Sequence, residues 1–382
     1  MNVLGKLCAA LAVAVMVSGL SLSASAADPV RIGVMAPLTG PWASEGIDMQ
    51  RVVGLLAEGV NKAGGLQGGP FKGRMIELVI EDDAGDPRTA SLAAQKLATS
   101  EVLAVIGTYG SAVTEASQNI IDEAELVQIA TGATSVRLTE KGMNGFFRVA
   151  PRDDAQGQVA AQMIKAKGVK KVALLHDNSS YAKGLAEEAK KVLDAEKIEI
   201  AFYDAITPKE RDYNAILTRI KAAAPDMIFF TGYYNDAGTL LRQKMEMGWN
   251  VPMMGGDATN NTDLVKIAGK DAAKGFLFLS PPVPQDFDTP EAKAFMDAYK
   301  AKYAQLPSSV WCVLAGDAFK VIVAALEAGA DSSESIATVL HDASKKFPGL
   351  TGELSFDAKG DRVGDLYRLY VVDANGEFVL DK

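Results

Sequence analysis

Residues 105–135 read VIGTYGSAVTEASQNIIDEAELVQIATGATS. The apolar run at 102–106 predicts a strand, 111–123 a helix with a candidate N-cap at Ser111, and 127–131 a second strand. Strand, helix and strand within about 30 residues make a βαβ unit, whose strands must lie parallel. The pattern extends upstream. Residues 30–35 predict a strand, 47–62 a helix stopped by Gly64-Gly65, 76–80 a strand and 89–99 a helix. Four strand–helix steps in about 100 residues imply a parallel sheet with helices on both faces.

Downstream the pattern restarts. Strands are expected at 146–149, 171–175, 198–203, 227–230, 251–254 and 275–279, with helices at 154–167, 181–193, 213–223 and 237–247 between them. Helices at 290–303, 310–328 and 333–345 follow, then extended segments at 352–356 and 366–373 and a turn at Asn375-Gly376. Two successive α/β units with late helices and strands imply two lobes and several chain crossings. The fold class is α/β: two doubly wound parallel-sheet lobes.

Composition narrows the function. The 382 residues are 48% hydrophobic and carry a net charge of −9, which argues against a nucleic-acid partner. Two histidines (His176, His341) and two cysteines (Cys8, Cys312) are too few for zinc, haem or disulfide frameworks. No cofactor is expected. Lys6, the apolar run 7–20 and Ala24-Ser25-Ala26 read as a cleavable secretory signal over residues 1–26, cut near Ala26/Ala27. The mature chain would hold about 356 residues and one cysteine, soluble and exported.

Catalytic motifs fail. There is no phosphate-binding Gly-x-x-x-x-Gly-Lys-[Ser/Thr] and no Gly-x-Ser-x-Gly elbow. Glu81-Asp82-Asp83 with Asp86 lacks the spacing of a calcium loop, and reads better as acids at a strand end and before a helix. What remains is polar groups at the ends of strands, where open α/β sheets bind ligands. They are Thr108-Tyr109-Gly110-Ser111, Thr131-Gly132-Ala133-Thr134, Tyr181, Gly232-Tyr233-Tyr234-Asn235 and Gly256-Asp257-Ala258. Each has a plain structural reading: Ser111 as an N-cap, Thr134 as a turn residue, Tyr181 as packing, Asp257 as a solvated acid. Their shared placement in both halves favours a site.

These segments carry a resemblance. IGVMAPLTGP (32–41), EDDAGDP (81–87), VIGTYGSAVTEAS (105–117), TGATS (131–135), FFRVAPRDDAQG (146–157), HDNSSYAKGLA (176–186), GYYNDAGTLLRQ (232–243) and GELSFDAKGD (352–361) occur in collinear order. Together they resemble the type I periplasmic solute-binding proteins of the branched-chain (hydrophobic) amino acid ABC transporter family. The resemblance implies three crossovers, near Ala150, Pro281 and Leu350, with lobe 1 at 27–150 plus 282–350 and lobe 2 at 151–281 plus 351–382. It places the ligand between the lobes. It implies a carboxylate-binding Ser111, with Gly132 and Thr134 holding the α-amino and α-carboxylate groups. Tyr181 becomes the closing tyrosine, and Tyr233 and Asp257 bind the ammonium. It also implies a periplasmic monomer that delivers a small-molecule ligand to permease subunits of an ABC importer.

Three departures from the family stand out. Glu45, near Trp42, replaces a side-chain-pocket tyrosine, and either faces solvent or meets a polar or cationic ligand group. Tyr109 replaces an aliphatic pocket residue. Gly85 and Gly110 replace the family's disulfide cysteines. The expected function is a non-enzymatic receptor for an amino acid, with Trp42, Glu45 and Tyr109 tuning preference. The alternatives are an amide, urea or small aromatic acid as ligand, a sensor feeding a regulator, and a secreted hydrolase.

Overall fold

The computed structural model describes residues 28–364 and 366–381; the expected signal segment 1–26 lies outside the described residues. β1 (Val30–Ala36), α1 (Ala43–Lys62), β2 (Ile76–Asp82), α2 (Pro87–Ala98), β3 (Ala104–Ile106), α3 (Ser111–Glu123), β4 (Val127–Ala130) and β5 (Phe146–Arg148) build the first sheet and its covering helices. Its order is β2-β1-β3-β4-β5, with every pair parallel. Strands β3 and β4 are buried at every position, as a sheet covered on both faces requires.

The chain then enters the second sheet. α4 (Asp153–Ala166), β6 (Lys171–His176), α5 (Ser180–Ala195), β7 (Glu199–Ala205), α6 (Asn214–Ala222) and β8 (Met227–Thr231) come first. α7 (Tyr234–Glu246), β9 (Met253–Gly255), α8 (Asp263–Ala268), α9 (Lys270–Ala273) and β10 (Leu277–Ser280) follow. Strands β7-β6-β8-β9-β10 are parallel neighbours. α10 (Pro290–Tyr303), α11 (Val310–Glu327) and α12 (Ser333–Leu340) return to the first sheet, where α11 packs on α1 and β3 and α12 on β4. α11 is apolar and buried on nearly every side, because it is wedged between α1, the sheet and the small hairpin of β11 (Phe347–Gly349) and β12 (Gly352–Leu354). Finally β13 (Arg368–Val372) and β14 (Phe378–Leu380) add antiparallel to β10 and complete the second sheet.

The chain thus passes between the sheets three times, through 149–152, 281–289 and 355–367, the third passage falling after Leu354. The first and third passages are tied together. Arg148, fully buried, sits 2.5 Å from Asp361, whose other oxygen takes Nη1 of Arg152 at 2.7 Å and the Thr139 hydroxyl at 2.9 Å.

Several local expectations change. Ser111 is not an N-cap: Gly110 occupies that position, and Ser111 opens the helix with its side chain turned elsewhere. α1 begins at Ala43 rather than 47, and α7 at Tyr234 rather than 237. The extra turns are held by contacts to the opposite lobe, a tertiary effect that local propensity does not carry. The helix expected at 333–345 stops at Leu340. Asp86 does cap α2, its carboxylate accepting from the Thr89 N–H at 2.9 Å, and Asp82 accepts from the N–H groups of Leu38, Thr39 and Ala84.

Candidate functional site

The C-terminal ends of the two parallel sheets face one another, and the segments after β3, β4, β8 and β9 meet between them. At the end of β3 stands Tyr109, 2% exposed. Its ring meets Trp42, from the loop before α1, at 5.5 Å edge-on, and Tyr233, from the second lobe, at 5.9 Å. Trp42 lies over Tyr233 at 4.2 Å, and Tyr181 reaches Tyr233 at 5.4 Å. These aromatic rings therefore span both lobes.

Glycines make the room. A Cβ at Gly85 would lie 2.6 Å from the Trp42 ring, one at Gly110 3.0 Å from it, and one at Gly132 2.5 Å from the Tyr109 ring. Gly85 and Gly110 are the two positions where the resemblance expects cysteines. At both, the absence of a side chain leaves space for the Trp42 indole.

The polar groups fall into two sets. Ser111 is buried, and its Oγ accepts the N–H of Ser135 at 3.2 Å. Beside it Thr134 is buried, its hydroxyl turned to the Asp153 carboxylate and its carbonyl accepting the N–H of Asp153 at 3.0 Å. The Asp153 carboxylate is buried and faces the Thr134 hydroxyl. Burial, and next the neighbouring Asp257, push its pKa well above the usual carboxylate range. Asp257 is itself buried, not solvated. Its carboxylate accepts from the Tyr367 hydroxyl at 2.8 Å, and its N–H donates to Gln156 Oε1 at 2.9 Å. Burial raises its pKa to about 6 against these hydrogen bonds. The Tyr181 hydroxyl accepts the N–H of Ala258 at 3.2 Å.

The structure thus brings Trp42, Tyr109, Ser111, Gly132, Thr134, Tyr181, Tyr233 and Asp257 to one interlobe region. Asp153, Gln156, Trp311 and Tyr367 were not singled out from sequence. The only sequence signal for Asp153 was an acid opening the helix just after the first passage.

Of the two alternatives for Glu45, burial removes one. It does not face solvent, being fully buried. Oε1 accepts from Asn261 Nδ2 at 2.7 Å, across the lobes, and Oε2 accepts from the Ser309 hydroxyl at 2.6 Å and the Cys312 thiol at 3.1 Å. Burial raises its pKa to about 7, the three donors holding it from going higher. Other bonds also close the lobes. Tyr234 Oη and Asn235 Nδ2 donate to the Pro41 carbonyl at 3.1 and 3.2 Å. At the α3–α5 contact Arg137 reaches the Ser180 hydroxyl at 3.2 Å, and that hydroxyl donates to Glu115 at 2.7 Å.

Two parallel-sheet lobes, linked by three passages and closing on buried, partly unpartnered polar groups, define a two-lobed binding protein. The chain belongs to the periplasmic binding protein family, whose model matches residues 29–377. It is 36% identical over 362 residues to a leucine-, isoleucine-, valine-, threonine- and alanine-binding protein of Pseudomonas aeruginosa, covering 94% of this chain and 92% of that one. It is 33% identical over 364 residues to the Leu/Ile/Val-binding protein BraC3 of Rhizobium johnstonii, covering 94% and 96%. Among solved structures it superposes on the branched-chain amino acid transporter substrate-binding protein LivJ of Streptococcus pneumoniae in complex with isoleucine, with a TM-score of 0.83, 32% identity and coverage of 92% and 98%.

Proposed function

We propose that this protein is an extracytoplasmic receptor for a free α-amino acid, which it encloses between its lobes and passes to the membrane permease of an ABC importer. One observation carries the reading. The cleft holds the buried hydroxyls of Thr134 and Ser111 and, within the same buried region, the carboxyls of Asp153 and Asp257, both with pKa values raised by burial. A zwitterion satisfies both: its carboxylate takes hydroxyl and N–H donors, its ammonium donates to the two acids. The relatives' names, all for amino acid binding, agree with this chemistry.

Binding here is closure. A ligand that bridges Thr134 on one lobe and Asp257 on the other stabilises the shut form over the open one by its differential contacts. The shut form presents the surface a permease reads. The protein acts as a receptor without turnover; its histidines are engaged with backbone, His176 Nδ1 accepting the Asn178 N–H and His341 Nε2 contacting the Asn144 carbonyl. Export, cleavage near Ala26/Ala27 and action as a monomer complete the proposal. Isothermal titration of the purified protein against the twenty amino acids tests it: binding of at least one is expected, and binding of none overturns it. N-terminal mass analysis of the exported protein checks the cleavage.

A further inference from the structure

Between the lobes, next to Gly132, stands a wall of aromatic rings: Trp42, Tyr109 and Tyr233, with Trp311 at the start of α11 6.4 Å from Tyr109. A wall of this kind would ordinarily receive an apolar side chain. Two of its members say otherwise. The Tyr109 hydroxyl and the Trp311 indole N–H are both buried and have no hydrogen-bond partner. Their residues are 2% and 1% exposed. Neither bonds to Glu45, whose oxygens accept from Asn261, Ser309 and Cys312.

Buried donors of this type normally find an acceptor, since leaving one unpaired costs most of its lost hydration. An aliphatic side chain lodged against Tyr109 and Trp311 would seal both donors away unpaired. An oxygen acceptor at the same place would satisfy them. A pocket built around such donors rejects the isostere lacking the acceptor far more strongly than an apolar pocket separates ligands differing by one methylene.

We infer that the preferred ligand is an amino acid whose side chain ends in an oxygen acceptor (amide, carboxylate or hydroxyl), held by Tyr109 and Trp311, and not a branched aliphatic one. This rests on the amino-acid reading above and sets the chain apart from relatives named for leucine, isoleucine and valine. Thr134 and Asp153, which face one another, are assigned to the backbone end of the ligand and do not compete for this role.

Isosteric pairs test it: asparagine against leucine, glutamine against methionine, and threonine against valine, titrated calorimetrically into the wild-type protein. In the pair that binds most tightly, the oxygen-bearing member should bind about tenfold tighter or better, the scale set by one unpaired buried donor. Tyr109→Phe and Trp311→Phe should each cut that ratio about fivefold or more. If the apolar member of the tightest pair wins, or the preference is below tenfold, the inference falls while the amino-acid reading stands. A full preference that survives both substitutions also overturns it, because other groups then read the side chain. If no amino acid binds at all, the functional proposal falls and takes the inference with it. Should a variant fail to fold, the wild-type pairs alone decide.

Discussion

Glu45 offers the most direct test of how the lobes are held. Its carboxyl is buried with three donors around it, and burial lifts its pKa from 4.5 to about 7. The charged and polar groups that face it are Asp48 on its own helix, Cys312 and Ser309 from α11, Asn261 across the cleft and Tyr109 from the end of β3. A carboxyl with a raised native pKa favours the native state while protonated. Its contribution is therefore fully present below about pH 4.5 and is lost as pH rises through about 7. At 1.36 kcal/mol per pH unit, the rise corresponds to roughly 3 kcal/mol between the two limits. Glu45→Gln keeps the shape, an oxygen for Asn261 and an amide that can donate to Ser309, but never ionises. The variant's stability relative to wild type should rise steadily between pH 5 and pH 8, by about 3 kcal/mol at most. Any fixed cost of the amide shifts the whole curve without changing its slope. Asp83 and Asp257, with pKa values raised to about 7 and about 6, titrate in the same window, and the difference from wild type removes them. Urea unfolding at pH 5, 6, 7 and 8 at fixed ionic strength measures it. A difference that stays flat within about 0.5 kcal/mol across that range refutes the reasoning.

The other expectations are shorter. Asp153→Asn should weaken amino acid binding by roughly 2–5 kcal/mol while leaving the melting temperature unchanged or higher, since it removes a buried carboxyl whose ionisation burial and Asp257 already oppose; an unaltered dissociation constant by calorimetry would exclude Asp153 from the site. Asp361→Ala strands Arg148 and Arg152 between the first and third passages, and should cost about 3–5 kcal/mol in denaturant unfolding. Arg137→Ala removes only a half-exposed contact to α5, so ligand affinity should fall by less than about 1 kcal/mol. Gly85→Ala drives a methyl into Trp42 and should destabilise by about 1–3 kcal/mol and weaken binding, which thermal melts and titration will show together.

Much of the framework was legible because parallel strands covered on both faces read as short apolar runs between amphipathic segments. α3 and α10 match their expected bounds for that reason. The three-residue strands β11 and β14 carry too little pattern to be read and exist through pairing with distant neighbours. At the site, residues that follow a strand directly, such as Tyr109, Ser111 and Asp257, could be found by position. The surroundings of Glu45 stayed open between two alternatives because its partners Asn261 and Ser309 lie over 200 residues away in the chain. Asp153 and Trp311 sit at helix starts, where an acid or an aromatic has an ordinary local explanation. Only the folded geometry shows that both are buried and that the Trp311 indole N–H lacks a partner. Gly85 and Gly110 were legible only as absent cysteines. Their positive role, clearing space for an indole, needs Trp42 folded against them.

The late return of the chain to β10 has a consequence for the order of synthesis. β10 ends at Ser280, yet its second neighbour, β13, begins only at Arg368. Until those last residues emerge, the apolar strand Leu277–Ser280 presents an open edge, ready to pair with another chain. Helix α11, apolar on nearly every side, is also made before the β11–β12 hairpin that covers it. Neither lobe closes its core from a contiguous stretch of chain, so a truncated product lacking the last strands leaves the β10 edge open to aggregation.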